Sequence, residues 1–286
     1  MDYRTNFFDR LTDSSLNLNE YELTFAEYIK DNYKKISFLD MTDISKILDL
    51  DPKDIISYIN KIGFNEYEEL RNVIRDFAMS ELKSTDRFEF SSININPKIN
   101  NIKKLIINKE ISNLNKLMDN FDEGTFYSIV EEIIKAPEII VVGTRSSSII
   151  AIYVEHMFNR LGKKTTKIIS GATENFDKFS AFADNALVLS IGFARYPKET
   201  VRVTNFFKKH NFKIVSLTDN IMSALTPLSD ITFTIPCESI SITDFYATPI
   251  SVINIIIVLL SQIDKEGSIS NLNKFEDIAK DLGFYF

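Results

Sequence analysis

The segment EIIVVGTRSSSII (residues 138–150) decides how the chain folds after its first third. A short apolar run ends at Gly143, then come Thr144, Arg145 and three serines, and apolar residues resume at Ile149. A buried strand that leads through a polar turn into a helix is typical of an α/β unit. N–H groups at a helix start, together with hydroxyls and the helix dipole, favour a bound phosphate. The alternative is that the serines merely cap the helix.

Four further apolar runs follow at regular intervals, and helical stretches separate most of them. They are TTKIIS (165–170), ALVLSIG (186–192), KIVSLTD (213–219) and ITFTIP (231–236). Short continuous runs of this kind indicate strands buried on both faces of a parallel sheet. The sequence therefore predicts a doubly wound α/β domain with a five-stranded parallel sheet and a ligand crevice at the carboxyl ends of the strands.

Three polar loops are expected to line that crevice: the turn after Gly143, SIGFARYPKET (190–200) and SLTDNIMSALTPLSD (216–230). Arg195 and Lys198 can pair with a charged oxygen group, and Thr200 is expected to cap the next helix. The turn lacks the glycine spacing of a dinucleotide motif and the Gly-Lys ending of a P-loop. The predicted ligand contacts are Gly143, Thr144, Arg145, Ser146, Ser147, Ser190, Arg195, Tyr196, Lys198, Thr200, Thr218 and Ser223.

The first third of the chain is predicted to be helical throughout. Asp51-Pro52 marks the start of one short helix and Gly63 its end. Serines, asparagines and Pro97 indicate a linker, so the predicted boundaries are a first domain over 1–87, a linker over 88–98 and a second domain over 99–286. Residues 1–90 hold 12 Lys and Arg against 19 Asp and Glu, a net charge of −7, whereas the remainder is neutral.

The chain resembles RpiR-type transcriptional regulators, in which a helix-turn-helix domain precedes a SIS (sugar isomerase) domain. The stretches that carry the resemblance are LTFAEYI, INKIGFNEYEEL, VVGTRSSSIIA, LSIGFARYPKETV, SLTDNIMSALTPLSD and SISITDFYATPISVINIII. The resemblance implies a homodimeric or homotetrameric regulator of carbohydrate metabolism that binds DNA and a sugar phosphate effector. It places the helix-turn-helix at residues 42–48 and 52–62, with Lys53, Ser57, Asn60 and Lys61 as candidate DNA contacts.

Several positions depart from the family's pattern. Arg145 stands at the middle glycine of the usual Gly-x-Gly-x-Ser turn. In the second loop Ala194, Arg195 and Pro197 replace the serine, glycine and threonine of Ser-x-Ser-Gly-x-Thr-x-Glu, and Glu199 is retained. Such a loop either offers a phosphate a cationic cradle in place of a hydroxyl one or no longer binds phosphate. In the recognition helix Ser57 takes the place of an arginine, which removes one DNA contact.

Catalysis is not expected, although a phosphosugar isomerase is one alternative. The available acid–base groups are Glu199, Glu238, His156 and His210, and they form no evident acid–base pair in the sequence. The single cysteine, Cys237, is interpreted as structural, and no metal or cofactor is predicted. A second alternative is a SIS-fold adaptor whose acidic N-terminal domain binds protein instead of DNA.

The sequence predicts a cytosolic protein that does not enter membranes. The N-terminus mixes acidic and basic residues and lacks the apolar core of a signal peptide. The longest apolar run, residues 250–260, is interrupted by Ser251 and Asn254 and falls short of the roughly 20 residues that a spanning helix requires.

Overall fold

The computed structural model describes residues 7–8, 11–81, 83, 85–86, 88–89, 95, 97–171, 175–221, 223–240 and 242–284. The chain divides into two compact units, Met1–Asn96 and Pro97–Phe286. Much of the predicted linker over 88–98 lies outside the described residues, so that boundary stays a prediction.

The described part of the first unit, called the head, contains a short 3-10 helix (Ser14–Leu16) and the α-helices α1 (Glu20–Ile36), α2 (Met41–Leu48), α3 (Pro52–Lys61) and α4 (Tyr67–Glu81). Its core is formed by the inward faces of these helices, including the fully buried Phe25, Ile55 and Tyr58. The helix boundaries follow local chemistry. Asp51 caps α3 through its side chain, and Gly63, with a φ of 91°, lies just beyond the α3 C-cap residue Ile62, as the sequence predicts.

The second unit begins with α5 (Ile99–Asp119) and α6 (Glu123–Lys135) and continues as alternating strands and helices. The strands are β1 (Ile139–Val142), β2 (Thr165–Ile168), β3 (Leu187–Ile191), β4 (Lys213–Thr218) and β5 (Ile231–Thr234). The remaining helices are α7 (Ser148–Arg160), α8 (Phe176–Phe179), α9 (Lys198–Lys209), α10 (Ala247–Ile263) and α11 (Lys265–Asp281).

The five strands form one parallel sheet in the order β2-β1-β3-β4-β5, which confirms the predicted fold class. All residues of β1 and β3 are buried, because apolar clusters cover both faces of the sheet. β2 pairs with one edge of β1, and the chain then crosses over so that β3 pairs with the opposite edge of β1. This reversal brings the carboxyl ends of β1, β3 and β4 next to one another, where a crevice is expected.

In the part of the chain that the structure describes, no single helix is long and apolar enough to cross a membrane. Among the described residues, α10 and α11 together pass that test by length and composition, and the two helices meet at a bend of 106°.

Candidate functional site

The turn after β1 is a single 3-10 turn, Arg145–Ser147, that leads directly into α7. Neither Thr144 before the turn nor Ser147 before the helix makes a side-chain cap hydrogen bond, so the helix-cap interpretation of these hydroxyls is wrong. The first N–H groups of a helix have no partner within the helix. Because the side chains do not cap them here, the turn keeps the donor groups that an anion would need.

The serine hydroxyls of this turn face an aromatic residue from a distant part of the chain. Burial raises the pKa of Tyr246 to about 12, while hydrogen bonds from Ser146 and Ser147 act in the opposite direction. The ring of Tyr246 also lies 6.2 Å from that of Phe193 in the second loop. Sequence reasoning did not select Tyr246 as a site residue. These contacts join the first loop, the second loop and the start of α10.

Behind the turn lies a chain of buried hydroxyl groups. The Thr144 and Thr200 Oγ1 atoms are 2.8 Å apart, and Thr200 Oγ1 also accepts from the Thr144 backbone N–H at 3.2 Å. Thr204 Oγ1 donates to the Thr200 carbonyl at 2.8 Å and contacts Ser190 Oγ at 2.7 Å. The expected helix-capping role of Thr200 is therefore wrong, because its hydroxyl fixes the first loop to α9. Ser190 is fully buried and satisfied within the protein.

We expect Thr200→Val to lower the free energy of unfolding by about 1 to 3 kcal/mol, because it leaves the buried Thr144 hydroxyl and N–H without this partner. Adding Thr144→Val should cost less than the sum of the two single changes, since one hydroxyl is no longer left alone. Urea denaturation of both single variants and the double variant measures this coupling. Additive effects of the two changes would show that the pair does not act as a unit.

A second set of contacts connects the second and third loops. Tyr196 donates its hydroxyl to Asp219 Oδ1 at 2.8 Å, and the Ala194 N–H donates to Asp219 Oδ2 at 3.1 Å. Burial raises the pKa of Asp219, and the bonds from Tyr196 and Ala194 oppose that rise. Thr218 Oγ1 donates to the same Asp219 Oδ1 at 3.4 Å, and interactions with Ser223 and Thr218 act against the rise that burial causes in the pKa of Tyr196, so these predicted site residues lie together.

Two of the cations in the predicted ligand loops occupy unusual backbone positions. Five described non-glycine residues have positive φ: Asn17, Asp49, Asn211, Arg145 at 56° and Arg195 at 73°. Asn and Asp enter this region readily, but for other residues it costs about 1 to 2 kcal/mol. Both arginines therefore carry backbone strain at the ends of the neighbouring strands β1 and β3. Arg145, Arg195 and Lys198 are all exposed, as a ligand contact must be.

The other predicted contacts lie deeper. Gly143 is buried, and an added Cβ would lie 3.0 Å from the Ser147 carbonyl oxygen, so the turn needs glycine there. The buried set consists of Gly143, Thr144, Ser147, Ser190, Thr200, Thr218 and Ser223. Apart from the Ser147 hydroxyl, which faces Tyr246, the side chains of this set serve mainly to hold the loops. Their direct contact with a ligand stays a prediction.

The candidate acid–base groups lie apart from one another. Glu238 accepts from Lys109 and Lys116, which pins the segment after β5 to α5. His156 lines a surface cavity of about 610 Å³ beside α11, and His210 lines another of about 730 Å³ with Phe179 and Phe206. Glu199 is exposed and lies against Gly171.

The thiol of Cys237 donates to the Phe245 carbonyl, and burial raises its pKa, which agrees with a structural role.

In the head, the predicted DNA contacts divide into two pairs. Glu22 of α1 is buried and accepts from Ser57 Oγ at 2.9 Å and from Lys61 Nζ at 2.6 Å. These two side chains are therefore engaged within the protein. Lys53 and Asn60 lie exposed on the outer face of α3. The surface that remains available to a partner is thus smaller than the sequence suggests.

We expect Glu22→Ala to destabilise the head by about 2 to 3 kcal/mol, because the carboxylate holds α3 against α1 through charge-assisted hydrogen bonds. Burial acts to raise the pKa of Glu22, but bonds from Lys61, the Asn19 N–H and Ser57 outweigh it, so the pKa lies below its ordinary 4.5. This stabilisation is complete above the unfolded-state pKa and is lost as pH falls through the folded-state pKa.

Hydrogen exchange of the α1–α3 amides in the full chain measures this loss, with Lys53→Ala as the control on the same helix. Equal protection in Glu22→Ala and in the wild type at neutral pH would contradict the assigned role of Glu22.

Comparison with known proteins agrees with this architecture. The family model for the SIS domain matches residues 132–259. Over 260 residues the chain is 21% identical to an uncharacterized HTH-type transcriptional regulator of Clostridium perfringens, which spans 90% of this chain and 92% of that protein.

Solved structures that share the fold include a NanR protein and an RpiR sugar isomerase domain. The Vibrio vulnificus NanR protein, complexed with ManNAc-6P, covers 97% of this chain and 99% of its own, with a TM-score of 0.60 and 17% identity. The match to the sugar isomerase domain of an RpiR transcription factor from Sphaerobacter thermophilus covers 60% of this chain and 97% of that domain, with a TM-score of 0.58 and 21% identity.

The matched residues 132–259 are therefore part of a SIS domain, which the second unit forms. A helical head precedes that domain, and the chain is similar over most of its length to the HTH-type regulator of Clostridium perfringens and shares its fold with the NanR protein.

Proposed function

We propose that the protein is a DNA-binding transcriptional regulator of carbohydrate metabolism whose SIS domain senses a sugar phosphate. The observation that carries the proposal is the turn at Arg145–Ser147. It combines a helix start without side-chain caps, two serine hydroxyls and adjacent cations at the carboxyl ends of the central strands. A phosphate group is the anion that such a turn fits best.

The sugar would lie in the crevice that the other two loops enclose. Tyr246 on one side and the Tyr196–Asp219 pair on the other supply an aromatic surface and hydrogen-bonding groups. Sites for small molecules commonly combine apolar walls with a few such polar groups.

The DNA-binding part of the proposal depends on α2 and α3, with α3 as the recognition helix. Lys53 would contact the phosphate backbone and Asn60 a base edge, since both are exposed on α3. Ser57 and Lys61 would contribute less because Glu22 engages them.

A homo-oligomer is part of the proposal. α7, α10, α11 and the C-cap residue of α11 expose large apolar side chains, namely Ile149, Ile152, Ile255, Val258, Ile263, Ile269, Ile278 and Leu282. A second copy would cover such a surface. We further infer that the effector changes how two SIS domains pack and thereby changes the spacing of two heads on DNA. This arrangement would operate in the cytosol.

We do not propose catalysis, because the candidate acid–base groups form no catalytic pair: Lys109 and Lys116 engage Glu238, the two histidines line separate surface cavities, and Glu199 lies against Gly171. Asp219, the carboxyl nearest the loops, is occupied by Tyr196 and the Ala194 N–H. The adaptor alternative retains one supporting observation. Ile47 on α2 and Ile56 on α3 are 46% and 41% exposed on an acidic head, a combination that would also fit a protein partner.

The test is a gel-shift titration of the full chain on its own upstream DNA at several salt concentrations, with and without hexose and pentose phosphates. The regulator is expected to bind with an affinity that falls steeply with salt and changes with at least one sugar phosphate. Absence of any salt-dependent shift would overturn the DNA part and favour the adaptor. Turnover of a sugar phosphate would favour the isomerase.

A further inference from the structure

We propose that Glu110 of α5 connects the predicted effector site to α5, so that effector binding alters the helix that leads to the head. The inference rests on the proposed function and assigns the residue through which the effector site is coupled to the rest of the chain. α5 is the first helix of the second unit, and the chain continues from its first turn into the first unit. A change in α5 therefore reaches the head through the chain itself.

The first contact joins the turn after β1 to the start of α10. Tyr246 is the N-cap residue of α10 and makes no side-chain cap hydrogen bond to that helix. It interacts instead with Ser146 and Ser147, the hydroxyl groups to which the proposed function assigns the phosphate. A phosphate that binds these serines competes with Tyr246 for their hydroxyls. Effector binding is therefore expected to reorient Tyr246 and the first turn of α10.

The second contact joins the start of α10 to α5, and the two helices pack against each other. The Glu110 carboxylate accepts a hydrogen bond from the backbone of Ala247, the residue that follows Tyr246. A carboxylate at this place also interacts favourably with the dipole of α10. A shift in the first turn of α10 therefore changes a contact of α5 directly.

Glu110 is a costly residue for this position. Burial raises the pKa of Glu110, and its Oε2 atom is buried with no hydrogen-bond partner among the described residues. Replacing a buried, incompletely satisfied carboxylate by an apolar side chain of similar volume is often neutral or stabilising. The acid at this position therefore indicates a role other than stability.

The same helix also holds the segment between β5 and α10. Lys109 and Lys116 engage the Glu238 carboxylate, and the Asn113 amide exchanges hydrogen bonds with the Glu238 backbone at 3.0 and 3.3 Å. The three α5 residues are spaced by four and three positions, so they share one face of the helix. α5 is thus attached at Glu238 and at Ala247, and the second attachment adjoins the predicted effector site.

The experiment measures hydrogen exchange of the α5 amides in the full chain, with and without glucose 6-phosphate, fructose 6-phosphate or ribose 5-phosphate. A sugar phosphate that binds the wild type is expected to change exchange over residues 109–116 by about fivefold or more. Glu110→Met should bind the same sugar phosphate with nearly unchanged affinity and lose this response. Glu110→Gln should keep most of the response, because its side-chain oxygen still accepts from Ala247.

A second comparison needs no ligand. Tyr246→Phe removes the hydroxyl that faces the two serines, and it should alter exchange in α5 when Glu110 is present but not in the Glu110→Met background. Asp119→Asn is the control for charge, since it neutralises an exposed acid on the same helix. It should leave both responses unchanged.

An effector response of α5 that persists in Glu110→Met, or that is absent from a wild type that binds the sugar phosphate, would overturn this inference while the sensing function stands. An effect of Tyr246→Phe that is equal with and without Glu110 would overturn it as well. Absence of binding by all three sugar phosphates would instead remove support for the sensing function, and the comparison without ligand would still decide the role of Glu110.

Discussion

Ser146→Asp is expected to abolish sugar phosphate binding, with a loss of about 100-fold or more, while the protein stays folded. Ser146 is exposed at the turn that starts α7, so an aspartate fits there without steric conflict. Its carboxylate would occupy the place of the bound phosphate, and like charges in such contact cost several kcal/mol. The same carboxylate interacts favourably with the helix dipole, so thermal stability should be unchanged or slightly raised.

Isothermal titration calorimetry and thermal melting of the same samples separate the two effects. Ser146→Asn is the matched neutral control and should keep affinity within about fivefold, because it adds similar volume without charge. If Ser146→Asp bound sugar phosphate as well as Ser146→Asn does, the phosphate would not lie at the start of α7.

Lys53→Glu is expected to weaken DNA binding by about tenfold or more at physiological salt and to lower the slope of affinity against salt concentration. Lys53 is exposed in the first turn of α3. Reversing its charge adds repulsion on a head that already carries a net charge of −7 over residues 1–90. Fluorescence anisotropy with labelled upstream DNA at several salt concentrations measures both quantities.

Lys103→Glu provides the control for total charge, since Lys103 is exposed on α5 in the second unit and changes the net charge equally. It should alter DNA affinity far less. Lys61→Ala should have a smaller effect on DNA affinity than Lys53→Glu, because Glu22 already engages that ammonium group. Equal losses for Lys53→Glu and Lys103→Glu would mean that α3 is not the DNA-reading helix.

The fold was largely predictable because its signals are local. Each of the five strands lies in a short, nearly continuous apolar run, so predicted strand positions such as 138–143 came within a few residues of Ile139–Val142. Asp51-Pro52 and Gly63 mark the ends of α3 through capping chemistry that acts over a few residues. The parallel direction of the strands then follows from their alternation with helices.

The site was less predictable because its decisive contacts join distant residues. Thr200 lies in the first turn of α9, and its position in the sequence alone favours a helix-capping role. Its hydroxyl instead contacts that of Thr144, which is 56 residues away in the sequence. Ser57 and Lys61 fit DNA contacts on α3, but the buried Glu22 engages both. Tyr246 lies within a stretch that carries the SIS resemblance, which was the only sequence signal that could have selected it.

The central claim is that the crevice at the ends of β1, β3 and β4 binds a sugar phosphate and that this binding controls the affinity for DNA. The most direct measurement is the anisotropy of labelled upstream DNA with the wild-type chain and with Ser146→Asp, each titrated with sugar phosphates. We predict that at least one sugar phosphate changes the DNA dissociation constant of the wild type by about fivefold or more and leaves that of Ser146→Asp unchanged. An identical response of both proteins, or no response of the wild type to any sugar phosphate, would contradict the account.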